Sequence, residues 1–412
     1  MLISVPDMKI LLLDHETTGV LSMAFTQSEV MEREVFLFDR LDNSKRERMM
    51  HLKAVCILRP TEANISQLIT ELMDPKYGEY HLFFTNVVSD NQLKELAQAD
   101  EHEVVQHIHE YFADYYPVYR CVFSLNVDSM VKVDPEIHQI VLRRVCDGLA
   151  GVLLSLRKKP MIRFQKSSEM CQRVAQEIGR RMTTERQLFD FPRTEQSTVL
   201  LIVDRREDPI TPLLQQWTYQ AMVHELFGIN NNRVGLPEKK VKTSDKGKGK
   251  EDEQYGRNAA ADREKKPAEI VLSADQDEFY RENMFLNWGD LGTNIKTAMA
   301  KVQMADSTTR NMKSIEEMKA FIENYPEFNK QKGNVAMHVG LLGDIFDAVQ
   351  KRSLLDVSKV EQSLACQHDH NAAKGMVHEM LRNPRITEED KIRLVLLYAL
   401  RYETDLDNEV CI

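Results

Sequence analysis

Residues 198–230 read TVLLIVDRREDPITPLLQQWTYQAMVHELFGIN, and Asp204, Arg205, Arg206, Glu207 and Asp208 crowd ionisable groups into one turn of that stretch. The apolar run before the turn predicts a strand, and open α/β sheets hold their ligands beyond the carboxyl ends of strands. Asp204 and Asp208 placed there would suit the acid–base work of a hydrolase or a phosphate-ester enzyme. The turn has no glycine to bring amides onto a phosphate, no Ser or Cys nucleophile and no His beside it. A structural reading stands beside the catalytic one. Thr211 is placed as a helix N-cap with Pro212 at the first helical position, and Leu213, Leu214, Trp217, Ala221 and Leu226 follow at helical spacing. Acidic and basic side chains pairing across such a turn order it without doing chemistry.

The run Cys366-Gln-His-Asp-His370 holds the side-chain types that zinc selects. His368 and His370 are two apart, however, whereas helical zinc sites place histidines four apart, so the run reads as a helix end. The sequence contains no GxGxxG after a strand, no Walker loop, no HExxH and no GxSxG. Weight moves toward a binding scaffold that needs neither metal nor cofactor.

Most of the elements that would position these groups can be read from the apolar pattern. KILLLD, VFLF, KAVCILRP, YHLFFTNVV and CVFSLNV read as strands, and TQSEVMERE, TEANISQLITELM, NQLKELAQ and EVVQHIHEYFADYY read as helices. Strands alternating with helices indicate βαβ units, and continuously apolar runs such as AVCIL indicate strands covered on both faces. Residues 1–130 are therefore expected to form a doubly wound parallel-sheet domain. Residues 131–236 open a second α/β domain with about two clear strands, PMIRFQ and TVLLIVDR, too few for a closed doubly wound sheet. Residues 237–267 are charged and almost free of apolar side chains, the composition of a disordered insertion. Residues 268–412 read as a mainly helical third domain, with SIEEMKAFIENY and AMHVGLLGDIFDAVQKR among its helices. The fold class is thus α/β plus α.

The chain has 412 residues, enough for two or three domains. A formal charge of −10 argues against nonspecific nucleic-acid binding and against direct attraction to anionic membrane. No apolar run approaches the roughly 20 residues that span a bilayer, and no secretory leader is legible, so the expected compartment is the cytosol. Cys56, Cys121, Cys146, Cys171, Cys366 and Cys411 form no CxxC pair and fit reduced thiols.

The stretch HEYFADYYPVYRCVFSLNV is dense in aromatics. Core packing accounts for most of them, yet Tyr111, Phe112, Tyr115, Tyr116 and Tyr119 are too closely spaced all to face inward. An exposed aromatic groove suited to a short peptide follows.

Taken together, LLIVDRREDPITPLLQQWTYQAMVHELFGINNNRV, MKILLLDHETTGVLSM, SEVMEREVFLFDRLD, HLKAVCILRPT, MKAFIENYPEF and VEQSLACQHDH closely resemble the SM (Sec/Munc-type) family. The resemblance covers nearly the whole chain outside 237–267. It implies a non-enzymatic protein without cofactors that binds syntaxin-type SNAREs by N-terminal peptide and helical core. Such a protein also engages vesicle SNAREs, and it works in docking and fusion at Golgi, endosomal and vacuolar membranes, attached through the SNAREs rather than through lipid. It further implies a syntaxin N-peptide pocket at Phe112, Phe123 and Leu125, a hinge proline at Pro326, and a vesicle-SNARE contact at Val339. The family turn falls on Asp204, Arg205, Asp208, Thr211 and Pro212. Members of the family extend beyond both ends of the resemblance, so the second sheet is expected to expose an edge and apolar surface.

Overall fold

The computed structural model describes residues 2–127, 135–192, 198–235, 269–310, 315–366 and 369–402, with 135–137, 269, 305–310 and 315–327 described by backbone alone. The insertion expected at 237–267, and His368 of the cysteine–histidine run, lie outside them. The chain divides into two units, Met1–Arg205 and Arg206–Ile412.

The first unit begins with β1 (Lys9–Leu13), whose five residues are all buried, as expected of a strand covered on both faces. Its one charged side chain, Lys9, ends on the Arg33 carbonyl at 2.8 Å and on Glu34 Oε2 at 3.4 Å. There follow α1 (His15–Ala24), α2 (Gln27–Met31), β2 (Val35–Arg40), β3 (Met49–Leu58), α3 (Glu62–Met73), β4 (Tyr77–Phe84), α4 (Asp90–Ala99) and β5 (Val105–Glu110). Side-chain caps start each helix: Asp14 on α1, Thr26 on α2, Thr61 on α3 and Ser89 on α4. The strands form a five-stranded sheet in the order β2-β1-β3-β4-β5, parallel throughout. Ile10, Leu12, Cys56, Leu82 and Phe84 on one face pack against Ile65, Leu68 and Leu72 of α3 and Leu96 of α4. Leu11, Val55 and Phe83 on the other face meet Val30 of α2 and Leu21 of α1. The sheet is doubly wound, and each fully buried leucine or isoleucine contributes about 1.5–3 kcal/mol by leaving water.

Two readings of this unit are corrected. EVVQHIHEYFADYY forms the edge strand β5 and not a helix. CVFSLNV does not join the sheet; β6 (Tyr116–Tyr119) and β7 (Val122–Ser124) pair antiparallel as a separate hairpin. The unit is completed by α5 (Pro135–Ser155), β8 (Met161–Phe164), α6 (Glu169–Thr184) and β9 (Val199–Ile202). β8 and β9 pair in parallel. Their inner residues Ile162, Leu200 and Ile202 pack with Val174 and Ile178 of α6 and Cys146 of α5. Met161, Val199, Leu201 and Val203 are exposed, the apolar surface expected of so small a parallel sheet.

The second unit contains α7 (Tyr219–Phe227), the antiparallel pair β10 (Arg233–Gly235) and β11 (Glu269–Val271), then α8 (Glu278–Asn283), α9 (Trp288–Arg310), α10 (Ile315–Lys351), α11 (Leu354–Cys366), α12 (His370–Arg382) and α13 (Glu388–Arg401). The helix expected to run from Thr211 through Leu226 is instead a 3-10 turn, Thr211–Leu213, then a non-helical stretch, then α7. The turn's N-cap is Ile210 rather than Thr211, with Pro212 in the first turn. The reason is tertiary: Ile210, Leu213 and Leu214 pack into the core that α11, α12 and α13 build from Val357, Val377, Leu394 and Tyr398. The two helices read around Pro326 are one, since α10 runs from Ile315 to Lys351 through the proline. Proline supplies no amide to a helix ladder and crowds the preceding turn, so this is a weak point.

Candidate functional site

In a sheet of order β2-β1-β3-β4-β5 the winding direction reverses between β1 and β3, and a crevice opens there at the carboxyl ends. Asp14 fills it. Its Oδ1 accepts the Glu16 and Thr17 amides at 2.9 and 2.7 Å, and its Oδ2 accepts the Arg59 amide and Asn64 Nδ2 at 2.7 Å each. The side chain stands where an enzyme of this fold would hold a ligand's anion, and four donors bond to its oxygens. The signal was present in LLLDHETT, an acid closing a strand with Thr17 three residues on.

Beside this crevice a cavity of about 250 Å³ is lined by Arg59, Thr61, Asn86, Asp114, Asp147 and Arg181, among others. Its arginines are paired. Arg59 contacts Glu16 and donates Nε to Asp114 Oδ1 at 2.7 Å, and Arg181 donates to Asp147 Oδ1 at 2.6 Å and Glu177 Oε1 at 2.9 Å. Hydrogen bonds from Arg180, and then from Arg181, hold Glu177 down to about 2.

The aromatic hairpin divides its side chains between core and solvent. Tyr116 is buried and points its hydroxyl at the Glu16 carbonyl. Tyr111 is exposed, edge-on to Phe83. Phe123, 42% exposed, meets Tyr115 edge-on at 5.8 Å, and the Tyr115 hydroxyl lies 3.1 Å from Ser155 Oγ of α5. Phe112 is half-buried against the α5–α6 core. Leu125 is also half-buried and sits over Gly148, where an added Cβ would come within 2.4 Å of Leu125 Cδ2. Of the three residues expected in a peptide pocket, Phe123 is thus presented to solvent, while Phe112 and Leu125 pack inward behind it.

The turn residues are engaged locally. Asp204 Oδ2 accepts the hydroxyl of Ser168, the α6 N-cap, at 2.5 Å, and its amide donates to Gln165 Oε1 at 3.0 Å. Arg205 opens a 3-10 turn, Arg205–Glu207. Asp208 Oδ1 accepts the Thr211 amide at 3.1 Å. Downstream, the Gln215 amide donates to Glu361 Oε2 at 3.0 Å and Trp217 Nε1 to Ser358 Oγ at 3.0 Å, fastening this stretch to α11.

On α10, His338, Leu341, Ile345 and Val349 are buried. The adjoining stripe is open. Val339 is 39% and Phe346 52% exposed, with Leu342 half-buried between them and Val335 half-buried one turn before. Spacings of four, three and four residues are those of a heptad seam that receives a second helix. Phe346 is flanked by Trp288, whose ring centroid lies 6.5 Å away, and Trp288 by Trp217 at 6.3 Å. Val339, expected from the family resemblance, lies on this stripe, and Phe346, which the sequence did not single out, lies on it too. Among the described residues, no three His, Cys, Asp or Glu side chains are grouped to hold a metal, and no helix is long and apolar enough to cross a membrane.

A doubly wound domain with its crevice filled by its own carboxylate, followed by a helical unit with an open heptad seam, defines a scaffold for binding other chains. Residues 9–410 match the model of the Sec1 family, and the chain belongs to that family. It is 46% identical over 409 residues to vacuolar protein sorting-associated protein 45 of Rattus norvegicus, across 98% of this chain and 67% of that one. It is 43% identical over 414 residues to the Arabidopsis thaliana homolog of that protein, across 98% and 69%. The solved SM protein Vps45 in complex with the Qa SNARE Tlg2 superposes with a TM-score of 0.87 at 44% identity, covering 100% of this chain and 71% of that one. Sly1p in complex with an N-terminal peptide of Sed5p shares the fold at 19% identity, with a TM-score of 0.77 over 98% and 63% of the two chains. None of these likenesses favours a hydrolase.

Proposed function

We propose that the chain is a non-enzymatic SNARE-binding protein that binds a syntaxin and promotes SNARE assembly in vesicle docking and fusion, in endosomal and Golgi-to-vacuole transport. The observation that carries this reading is the α10 seam of Val335, Val339, Leu342 and Phe346, which has the periodicity of a SNARE helix and leaves Val339 and Phe346 exposed. The solved relative bound to a Qa SNARE supports the choice of partner. Holding SNARE helices in register lowers the entropic cost of nucleating their bundle, so the mechanism is binding and needs no bond chemistry. The hairpin around Phe123 and Tyr115 takes the syntaxin's N-terminal peptide, and Phe112 and Leu125 set its depth from behind. Pro326 is where α10 yields when the hairpin of α9 and α10 rearranges, and Val339 is a contact for the vesicle SNARE. The chain reaches Golgi, endosomal and vacuolar membranes peripherally, through the SNAREs.

Photo-crosslinking tests the seam. A photoreactive residue at position 346 or 339 should capture a SNARE helix, and one at Asp347, exposed on the flank, should capture it weakly. Equal capture at all three positions, or none at 346, contradicts the seam.

A further inference from the structure

The seam faces outward only because α10 is held at one rotation about its axis. Adjacent residues of a helix lie about 100° apart, so a slip of one residue would turn Val339 inward and bring His338 out. His338 is completely buried, and both its ring nitrogens are bound by other elements of the same unit. Nδ1 lies 2.7 Å from the hydroxyl of Tyr219 at the start of α7, and Nε2 lies 2.9 Å from Oδ2 of Asp277, the N-cap of α8. The ring stacks on Tyr280 at 6.2 Å with planes 7° apart, and Phe279 lies 4.8 Å away.

The proton positions follow from chemistry. Burial raises Asp277, but the hydrogen bonds from His338 and from the Tyr280 amide outweigh it and leave the carboxyl below its ordinary value, hence ionised. An ionised carboxylate only accepts, so His338 Nε2 carries a hydrogen and donates it. Burial pushes the Tyr219 hydroxyl up, so it keeps its proton, and it lies within hydrogen-bond distance of Nδ1. Histidine can satisfy a donor on one side and an acceptor on the other simultaneously, which no aliphatic residue at this position can do. The arrangement looks like a catalytic triad, but all three residues are buried from solvent.

We propose that the Tyr219–His338–Asp277 network is the rotational lock of α10: it fixes the helix phase that presents Val335, Val339, Leu342 and Phe346, and it ends the part of α10 free to rearrange. The inference rests on the proposed use of the seam, and His338 acts in it as a positioning residue one place from Val339. The turns before it carry exposed Gln331, Lys332 and Gly333, while Leu341, Ile345 and Val349 after it are buried.

Hydrogen exchange on the free full chain tests the lock without any SNARE, so its failure is separable from failure of the functional reading. In the wild type, amides of 339–349 should exchange at least about tenfold more slowly than those of 328–337. His338→Phe keeps the ring and loses both hydrogen bonds, and it should raise exchange across 339–349 about tenfold while α12 and α13 keep their protection. Asp277→Asn retains an acceptor for the cap and lets His338 reverse its tautomer, so it should exchange like wild type. Unchanged exchange in His338→Phe overturns the lock. So does an increase shared equally by α12 and α13, or an Asp277→Asn profile no better than that of His338→Phe.

Discussion

Glu361 Oε2 accepts the main-chain amide of Gln215 at 3.0 Å, across a separation of 146 residues. With the Trp217–Ser358 bond it fastens the stretch after the DRREDPITP turn to α11, and Arg393 joins it from α13, donating to Gln215 Oε1 at 3.3 Å and lying 3.5 Å from Glu361 Oε1. Residues 215–217 are thus fastened to α11 and α13 within the second unit.

Glu361→Ala should lower stability by about 1–3 kcal/mol, because the buried Gln215 amide loses its acceptor. Glu361→Gln should cost less, since the side-chain carbonyl still accepts and the charge that burial disfavours at this position is gone. Urea midpoints of the two variants check this; equal losses would show that the hydrogen bond is unimportant.

His81 on β4 is buried and both its ring nitrogens lack hydrogen-bond partners. Burial first, and then His107 at 5.4 Å between ring centroids, lowers it from the ordinary 6.5, with Glu79 acting in the opposite direction and Lys53 in the same one. The unfolded chain then binds the proton more readily than the folded one, so stability falls as pH falls below about 6.5. The melting temperature should drop between about pH 7 and pH 5.5, and less steeply in His81→Leu. Parallel curves for the two proteins would contradict this.

Arg46 and Glu71 form an ion pair at 2.7 Å with both side chains 4% exposed, and the Tyr80 hydroxyl donates to Glu71 Oε1 at 2.7 Å. Arg46→Met leaves Glu71 charged and buried and should destabilise the first unit by about 3–5 kcal/mol. Arg46→Met with Glu71→Leu should recover much of that loss. Denaturant melts of the single and double variants check the prediction; equal instability would mean that packing rather than charge sets the cost.

Much of the first unit was legible because its strands are continuous apolar runs, as in KILLL and AVCIL, bounded by capping residues. β5 was misread because its exposed edge carries His107 and His109 instead of an apolar run, so EVVQHIHEYF satisfied a helical spacing equally well. The break between Leu214 and Tyr219 was invisible for a different reason: Leu213, Leu214 and Trp217 have helical spacing, and only the distant α11 and α13 decide that they pack as an extended stretch. Phe346 was missed because AMHVGLLGDIF is apolar on two faces of its helix, and periodicity cannot say which face lacks a neighbour. The roles of His338 and Asp277 depend on residues 61 positions apart and had no local signal.

The hairpin proposed to take the syntaxin peptide makes a distinct demand on variant choice. Leu125→Arg must drive a cation against Gly148, so its effect mixes folding with binding. Phe123→Ala removes an exposed ring and leaves the hairpin's pairing intact, so it should weaken binding of a syntaxin N-terminal peptide about tenfold or more without shifting the melting temperature by more than about 2 °C. A fluorescence titration beside a thermal melt checks both halves; unchanged affinity would remove Phe123 from the pocket.

The central claim is tested most directly by titrating the purified chain with the labelled cytoplasmic region of a syntaxin. Binding should be saturable, weakened by Phe123→Ala and by Phe346→Ala, and weakened further by the double variant. Absence of saturable binding by a chain that melts cooperatively would contradict the claim.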